Sequence, residues 1–340
     1  MLRRADRRPA LPHIWLFGSV PTGLTAAVQS KGWWRQSVYG FLMRVAALMM
    51  VRNEADIVAV NVRYHRSVGI TDFFVIDNGS VDSTPQVLAE LAREIPGVRW
   101  TRDAGSFHQA LITTGLAQEA HAAGVDWVVP IDADEFWYPG TSGFSGVLAS
   151  CDAPALEVDL ATFVQRRDVE ALHENSLTTM TRRIQVPHPY EGARNAVETG
   201  VIAYVEMAYP SKWISRASAT LAIHSGNHAV DGIHGLRSTT DAIVCFHAPL
   251  RARAVLPAKA GYGRRLRELG VDAESGWHLQ RWADLETSGG LDDDWSANSW
   301  RLVGADAVID PPRGAKPIVF DPRLRDLVQP FLPRPGVRSR

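Results

Sequence analysis

Apolar and polar positions alternate along this chain in blocks. "VAALMMV" (45–51) and "DFFVID" (72–77) are short continuous apolar runs, the pattern of strands buried on both faces. Between them, Ile57, Val58, Val62 and His65 recur at helical spacing and stop at Gly69. "NGS" then turns the chain, and Asp82 or Ser83 can cap a helix running to Arg93, with Pro85 in its first turn, where no N–H is needed. "GVRWTR" (97–102) predicts a third strand, 106–124 a helix and "DWVVPID" (126–132) a fourth strand. Strands alternating with helices through short connections call for a parallel sheet covered on both faces.

Such sheets bind ligands at the carboxyl ends of their strands. Polar clusters sit at those ends: "RNE" (52–54), "DNGSVD" (77–82), "RD" (102–103) and "DADE" (132–135). The last places Asp132, Asp134 and Glu135 within four positions. Neighbouring carboxylates resist ionising together unless something offsets their charge. If the segment is extended, Asp132 and Asp134 share a face and Glu135 turns away. Two adjacent carboxylates suit Mg²⁺ or Mn²⁺, which keeps places for water and phosphate oxygens. The bland alternative is a solvated acidic turn, against which the following "FWYP" argues. Phosphate would otherwise lack a cradle, since Gly-x-Gly-x-x-Gly and Gly-x-x-x-x-Gly-Lys-Ser/Thr are both missing.

Beyond residue 150 the pattern loosens. Residues 155–165, 211–215, 219–223, 241–246 and 317–320 read as strands and 251–286 as helical, while 166–210 carry no clear period. The expected organisation is an N-terminal extension (1–44), a main domain (45–286, divided near 140) and a C-terminal extension (287–340).

Composition narrows the function. The 340 residues are 46 % hydrophobic and 21 % charged, an ordinary globular balance. The net charge of −1 hides a +6 segment over residues 1–44, leaving the remainder mildly acidic and unsuited to nucleic acid. The basic "RADRR" and "GRRLR" lack interleaved aromatics and read as solvated faces. Residues 1–30 mimic a signal peptide, but Gly18, Ser19, Pro21, Thr22 and Gly23 interrupt the apolar stretch and no small-x-small cleavage site follows. Cys151 and Cys245 form no spaced pattern, so a reduced, cytoplasmic setting fits. No apolar run approaches the roughly 18 residues of a membrane span, which leaves peripheral membrane contact open.

"MMVRNEADIV", "FFVIDNGSVDST" and "DWVVPIDADEFWY", in this order, resemble a family 2-type glycosyltransferase of the bacterial branch whose acidic motif reads Asp-x-Asp-Glu-Phe. The resemblance covers residues 45–140 well and continues weakly through "SKWISR", "IHSGNHAV" and "VCFHAPLRARAVLPAKAGYG". It implies the A-type nucleotide-sugar fold: α/β, with a mostly parallel Rossmann-like sheet flanked by helices and an elaborated C-terminal half. It also implies a metal-dependent, inverting sugar transfer, using Mn²⁺ or Mg²⁺, from a nucleoside diphosphate sugar to a saccharide or lipid-linked acceptor. Asn53 and Glu54 would border the nucleotide, Asp77 would contact base or ribose, and Asp132 with Asp134 would hold metal and diphosphate. Asn78 stands where many members carry a second Asp. Glu135 is expected to affect acceptor use.

The family's base has no secure match. His228 and Asp231, polar residues in an expected loop, are the candidates. His247 ends an apolar strand and could be a third metal ligand, with Arg251, Arg253 and Lys259 near the diphosphate; His224, His228, His234, Cys245 and His247 match no standard zinc spacing. A nucleotidyltransferase of similar fold, or a non-catalytic nucleotide- or sugar-binding relative, remains the alternative.

Overall fold

The apolar run at 45–51 becomes the middle of the molecule. In a computed structural model describing residues 43–103, 108–173, 175–272 and 276–332, β1 (Val45–Val51) is buried along almost its whole length. It leads into α1 (Val58–Ser67), β2 (Asp72–Asp77), α2 (Thr84–Glu94), β3 (Val98–Arg102), α3 (Gln109–Ala122) and β4 (Trp127–Pro130). The α2 start is held as its sequence suggests: the Asp82 carboxylate accepts the Thr84 N–H at 2.9 Å and the Thr84 hydroxyl at 2.6 Å. The expectations for residues 1–42 lie outside the described residues.

β1 pairs in parallel with β2 on one side and β4 on the other, and β3 adds in parallel outside β2. The strand order therefore reverses between β1 and β4. A crevice opens at such a switch point because the connections on its two sides run in opposite directions. The α/β expectation holds, with α1, α2 and α3 covering this parallel block: α1 and α2 bury Val58, Val62, Leu88 and Leu91 in the core that includes Met49 and Phe73. On the opposite face, α3 buries Leu116 and Ala120 against Leu48 and Phe74.

The C-terminal half adds β5 (Glu135–Tyr138), α4 (Gly143–Ala149), β6 (Ala155–Val164), β7 (Arg182–Arg183), α5 (Ala193–Glu198), β8 (Lys212–Arg216), β9 (Ala222–Ile223), β10 (Val230–Asp231) and β11 (Ser238–His247). There follow α6 (Val255–Glu268), α7 (Trp277–Ser288), α8 (Leu291–Asn298), β12 (Trp300–Val303), β13 (Asp306–Ile309), β14 (Lys316–Pro317), β15 (Val319–Phe320) and α9 (Arg323–Val328). β8 lies antiparallel on β4 and extends the sheet towards β6, β7 and β15. β11 runs parallel to β6 and antiparallel to β5.

A second apolar core gathers Tyr204, Trp282, Trp295 and Trp300 around α6, α7 and α8. α6 and α7 cross so closely that a Cβ at Gly263 would lie 2.1 Å from the Leu279 carbonyl oxygen. The last helix is not peripheral: Leu324 and Val328 of α9 are fully buried in the core shared with α1. Among the described residues, no helix is long and apolar enough to cross a membrane.

Candidate active site

The crevice at the β1/β4 switch point is a cavity of about 1020 Å³. Its walls come from the end of β1, the start of α3, the acidic segment after β4, the first residue of β8, the 225–228 loop, the end of β11 and the α6–α7 pair.

The acidic segment is not extended. The strand stops at Pro130, and the Glu135 N–H donates to the Asp132 carbonyl at 3.0 Å, closing a turn. The predicted alternation of faces is thereby corrected: Asp132 and Glu135 converge, and Asp134 points elsewhere. What joins the first two is Lys212, whose Nζ lies 2.8 Å from Asp132 Oδ2 and 2.8 Å from Glu135 Oε1. The antiparallel register pairs Val128 with Ser215, and continuing it sets Lys212 beside Ile131, next to Asp132. Asn227 donates to the other Asp132 oxygen at 3.3 Å. Glu135, 1 % exposed on the cavity floor, also accepts from the Asp132 N–H and the Trp137 indole. Burial pushes its carboxyl up to about 7, with Lys212 opposing. Burial works against the charge on Lys212, but Asp132 and Glu135 outweigh it and raise the ammonium pKa.

Asp134 faces a different set of groups. Because β11 pairs antiparallel with β5, His247 lies opposite Glu135, and the Ala248 N–H donates to the Asp134 carbonyl at 2.8 Å. His247 Nε2 is then 3.8 Å from Asp134 Oδ1, and Lys259 Nζ is 3.6 Å from Asp134 Oδ2. Burial would raise the Asp134 pKa, but Lys259, His247, Arg251 and Lys212 together bring it to about 2. Burial lowers His247 to about 4, so its ring is neutral near pH 7. Its Nδ1 is buried without a hydrogen-bond partner.

The described residues contain no group of three or more His, Cys, Asp or Glu side chains able to hold a metal ion. They do supply two donors of the right kind. Two ligands about 2.1 Å from one ion lie at most about 4.2 Å apart, and the ionised Asp134 oxygen and neutral His247 nitrogen are 3.8 Å apart. Mg²⁺ and Mn²⁺ commonly fill their remaining places with water and phosphate oxygens. Asp134 and His247 thus stand within reach of one divalent ion, between the roughly 3.0 Å of adjacent and the roughly 4.2 Å of opposite octahedral ligands, with Lys259 also 3.6 Å from Asp134; Asp132 is engaged by Lys212 and Asn227.

At the end of β1, Asn53 takes a left-handed backbone (φ 54°). Its N–H donates to Ser80 Oγ, and its side-chain oxygen accepts the Val81 N–H. The Glu54 N–H donates to Thr84 Oγ1, so the turn after β1 is locked onto the turn after β2. The Glu54 side chain accepts from Arg251 at 2.7 Å, and Arg251 also grips Asp56. Burial pushes Glu54 up to about 7 despite Arg251.

Asn53, Glu54, Asp132, Asp134, Glu135, His228 and His247 all line the cavity. Asp77 and Asn78 are not among its lining residues. Asp77 is fully buried, accepts the Ser80 N–H at 2.9 Å and faces Arg102 at 3.4 Å. It shapes the turn that holds Asn53. Asp231 is an exposed residue of the β9–β10 hairpin, bonded to His224 at 2.7 Å and 3.6 Å from Arg237. It too is not among the lining residues, so of the two expected bases only His228 is. The His228 Nδ1 donates to the Ser211 carbonyl, leaving Nε2 unprotonated; burial and Lys212 lower its pKa to about 4.

Of the expected diphosphate cations, Arg251 is committed to Glu54 and Asp56. Arg253 is absent from the lining and pairs with Asp292. Lys259 remains in the wall, as does Arg52, which belongs to the "RNE" cluster but was not foreseen as a phosphate-side cation. Lys212, also unforeseen, had one signal: a lysine opening the apolar "SKWIS" strand.

No family model matches the chain, and no curated protein matches it. Solved structures align at low similarity. S. aureus TarS 1–349 shows 10 % identity over 82 % of this chain and 100 % of its own, with a TM-score of 0.36. Mannosyltransferase PcManGT from Pyrobaculum calidifontis, in complex with GDP-Man and Mn²⁺, shows 16 % identity over 76 % and 74 %, at 0.38. A putative glucose-1-phosphate thymidylyltransferase from Bacillus anthracis shows 16 % over 37 % and 58 %, at 0.25. At these scores the likeness carries no argument about activity.

Proposed function

We propose that the chain is a metal-dependent glycosyltransferase of the cytoplasm, moving a sugar from a nucleoside diphosphate to the hydroxyl of a saccharide or lipid-linked acceptor, with inversion. The observation that carries this reading is the acidic turn at the β1/β4 switch point, where Asp134 and His247 face a cavity large enough for a nucleotide sugar. Asp134 and His247 would hold Mn²⁺ or Mg²⁺, which when bound stabilises negative charge on the departing diphosphate. Lys259 and Arg52 add positive charge along the same wall. The locked turn at Asn53 and Glu54 borders the nucleoside. His228 Nε2 is the acceptor-side base, since Asp231 is not part of the wall.

Calorimetry with UDP and GDP, in Mn²⁺ and then in EDTA, tests the binding half. Affinity should collapse in EDTA, and equal affinity in both conditions would sink the metal-bridged reading. Incubation with a panel of nucleotide sugars and Mn²⁺ tests the chemistry. Slow hydrolysis of one donor is expected, and release of pyrophosphate from a nucleoside triphosphate and a sugar phosphate would instead establish nucleotidyl transfer.

A further inference from the structure

The acidic turn already contains a cation. Lys212 Nζ lies 2.8 Å from Asp132 Oδ2, Glu135 Oε1 and the Gly226 carbonyl oxygen, and its side chain is only 3 % exposed. An ammonium has three N–H donors, so this one is saturated. Two carboxylate oxygens and one carbonyl oxygen converging on a point are also a donor set that hard metal ions use. Lys212 reaches this point from a strand in register with β4, with its Cα fixed by pairing to Val158 of β6.

We propose that Lys212 is a tethered counter-cation that fills a second cation position in the site. It withdraws Asp132 and Glu135 from the metal-ligating set and confines divalent binding to Asp134 and His247. The confinement clause rests on the proposed metal dependence; the occupancy of the second position by the lysine does not. A lysine on a strand differs from an ion in one useful way: it cannot leave with the product. Two of the carboxylates in the turn thus keep their partner when nucleotide and ion depart, and the turn keeps its shape between turnovers.

The test is titration of the full chain with Mn²⁺ alone, followed by calorimetry and by the electron paramagnetic resonance of free Mn²⁺. The wild type should take up one equivalent, lost in Asp134→Asn and kept in Asp132→Asn. Lys212→Met should gain one equivalent, and Lys212→Met/Asp132→Asn should lose that gain. Lys212→Met strands two carboxylates, so its melting temperature should fall, recover when Mn²⁺ is added, and recover without metal in Lys212→Met/Asp132→Asn/Glu135→Gln. A Lys212→Met chain that folds only in Mn²⁺ supports the proposal equally. One that stays unfolded in millimolar Mn²⁺ while the triple variant folds overturns it. Equal Mn²⁺ stoichiometry in wild type and Lys212→Met overturns the Lys212 assignment and leaves the metal-dependent reading intact. Uptake by Lys212→Met but not by wild type does the reverse, and uptake by neither overturns both.

Discussion

β2 and β4 both flank β1 in parallel, and both end in an acidic segment, "DNGSVD" and "DADE". Their fates differ. At the end of β2, Asp77 is fully buried; its Oδ1 accepts the Ser80 N–H, and its Oδ2 faces Arg102 at 3.4 Å without a hydrogen bond. At the end of β4, the acids stand in the wall of a cavity, against Lys212 on one side and His247 with Lys259 on the other. The residues are of similar type, so composition does not separate them. Strand order does. The strand order reverses between β1 and β4, leaving a crevice there, whereas β1 to β2 continues one winding and its turns close on each other. A carboxylate at a strand end becomes a site residue only where the topology leaves it room.

The strongest way to disturb the cavity side is to remove Arg251. Its guanidinium is 3 % exposed and pairs with Glu54 and Asp56. Arg251→Leu leaves two partly buried carboxylates without their cation, and should cost about 3–5 kcal/mol in urea unfolding. A loss below about 1 kcal/mol would show that the β1 end does not depend on it.

Buried histidines and glutamates, most of them on the cavity side, also set a pH dependence. His65, His228, His247 and His278 are lowered by burial from 6.5 to about 3, 4, 4 and 3, so folding excludes four protons that the unfolded chain binds below pH 6.5. Glu54 and Glu135 are raised from 4.5 to about 7, so the folded chain holds two protons that the unfolded chain has lost. Between pH 4.5 and 6.5 the unfolded state therefore binds two more protons, and stability should fall on acidification by at most about 2.7 kcal/mol per pH unit. The glutamate contribution has the opposite sign and is lost as pH rises through 7. Melting of the metal-free protein should peak near neutrality, and Glu54→Gln/Glu135→Gln should flatten the alkaline limb. An unchanged alkaline limb in that variant would contradict the two shifts.

The β2 side should respond only as structure. Asp77→Ala removes the acceptor for the Ser80 N–H and should cost about 1–3 kcal/mol, with nucleotide affinity of the folded protein preserved. A tenfold loss of affinity at unchanged stability would break the comparison. The smallest effect is expected at Asp231, an exposed partner of His224. Asp231→Asn should leave both the melting temperature and donor hydrolysis unchanged. Lost turnover would restore it as a base.

Local patterning explains what the sequence disclosed. β1 and β2 were legible because buried parallel strands are continuous apolar runs, and α1 because its spacing and Gly69 mark one amphipathic turn after another. The four strand-end clusters were visible for the same reason. Their division into cavity wall and closed turn was not, because strand order depends on pairings between distant segments. "DADE" looked extended by analogy with the strand before it, yet a single hydrogen bond from Glu135 to Asp132 turns it. Lys212 lies 80 residues from Asp132, and only the β4–β8 register brings them together. His247 was reachable because it ends a strand, but its approach to Asp134 needed the β5–β11 pairing. Residues 166–210 resisted because, among the described residues, they hold only a two-residue strand, a six-residue helix and short 3₁₀ turns.

The central claim is that the end of β4, and not the end of β2, binds the nucleotide through a metal ion. Asp134→Asn and Asp77→Asn, compared side by side for UDP and GDP affinity in Mn²⁺, test it most directly. Asp134→Asn should weaken binding about 100-fold or more, roughly 2.7 kcal/mol, with little change in melting temperature; Asp77→Asn should stay within about threefold. Wild-type affinity in Asp134→Asn, or the larger loss in Asp77→Asn, would contradict the account.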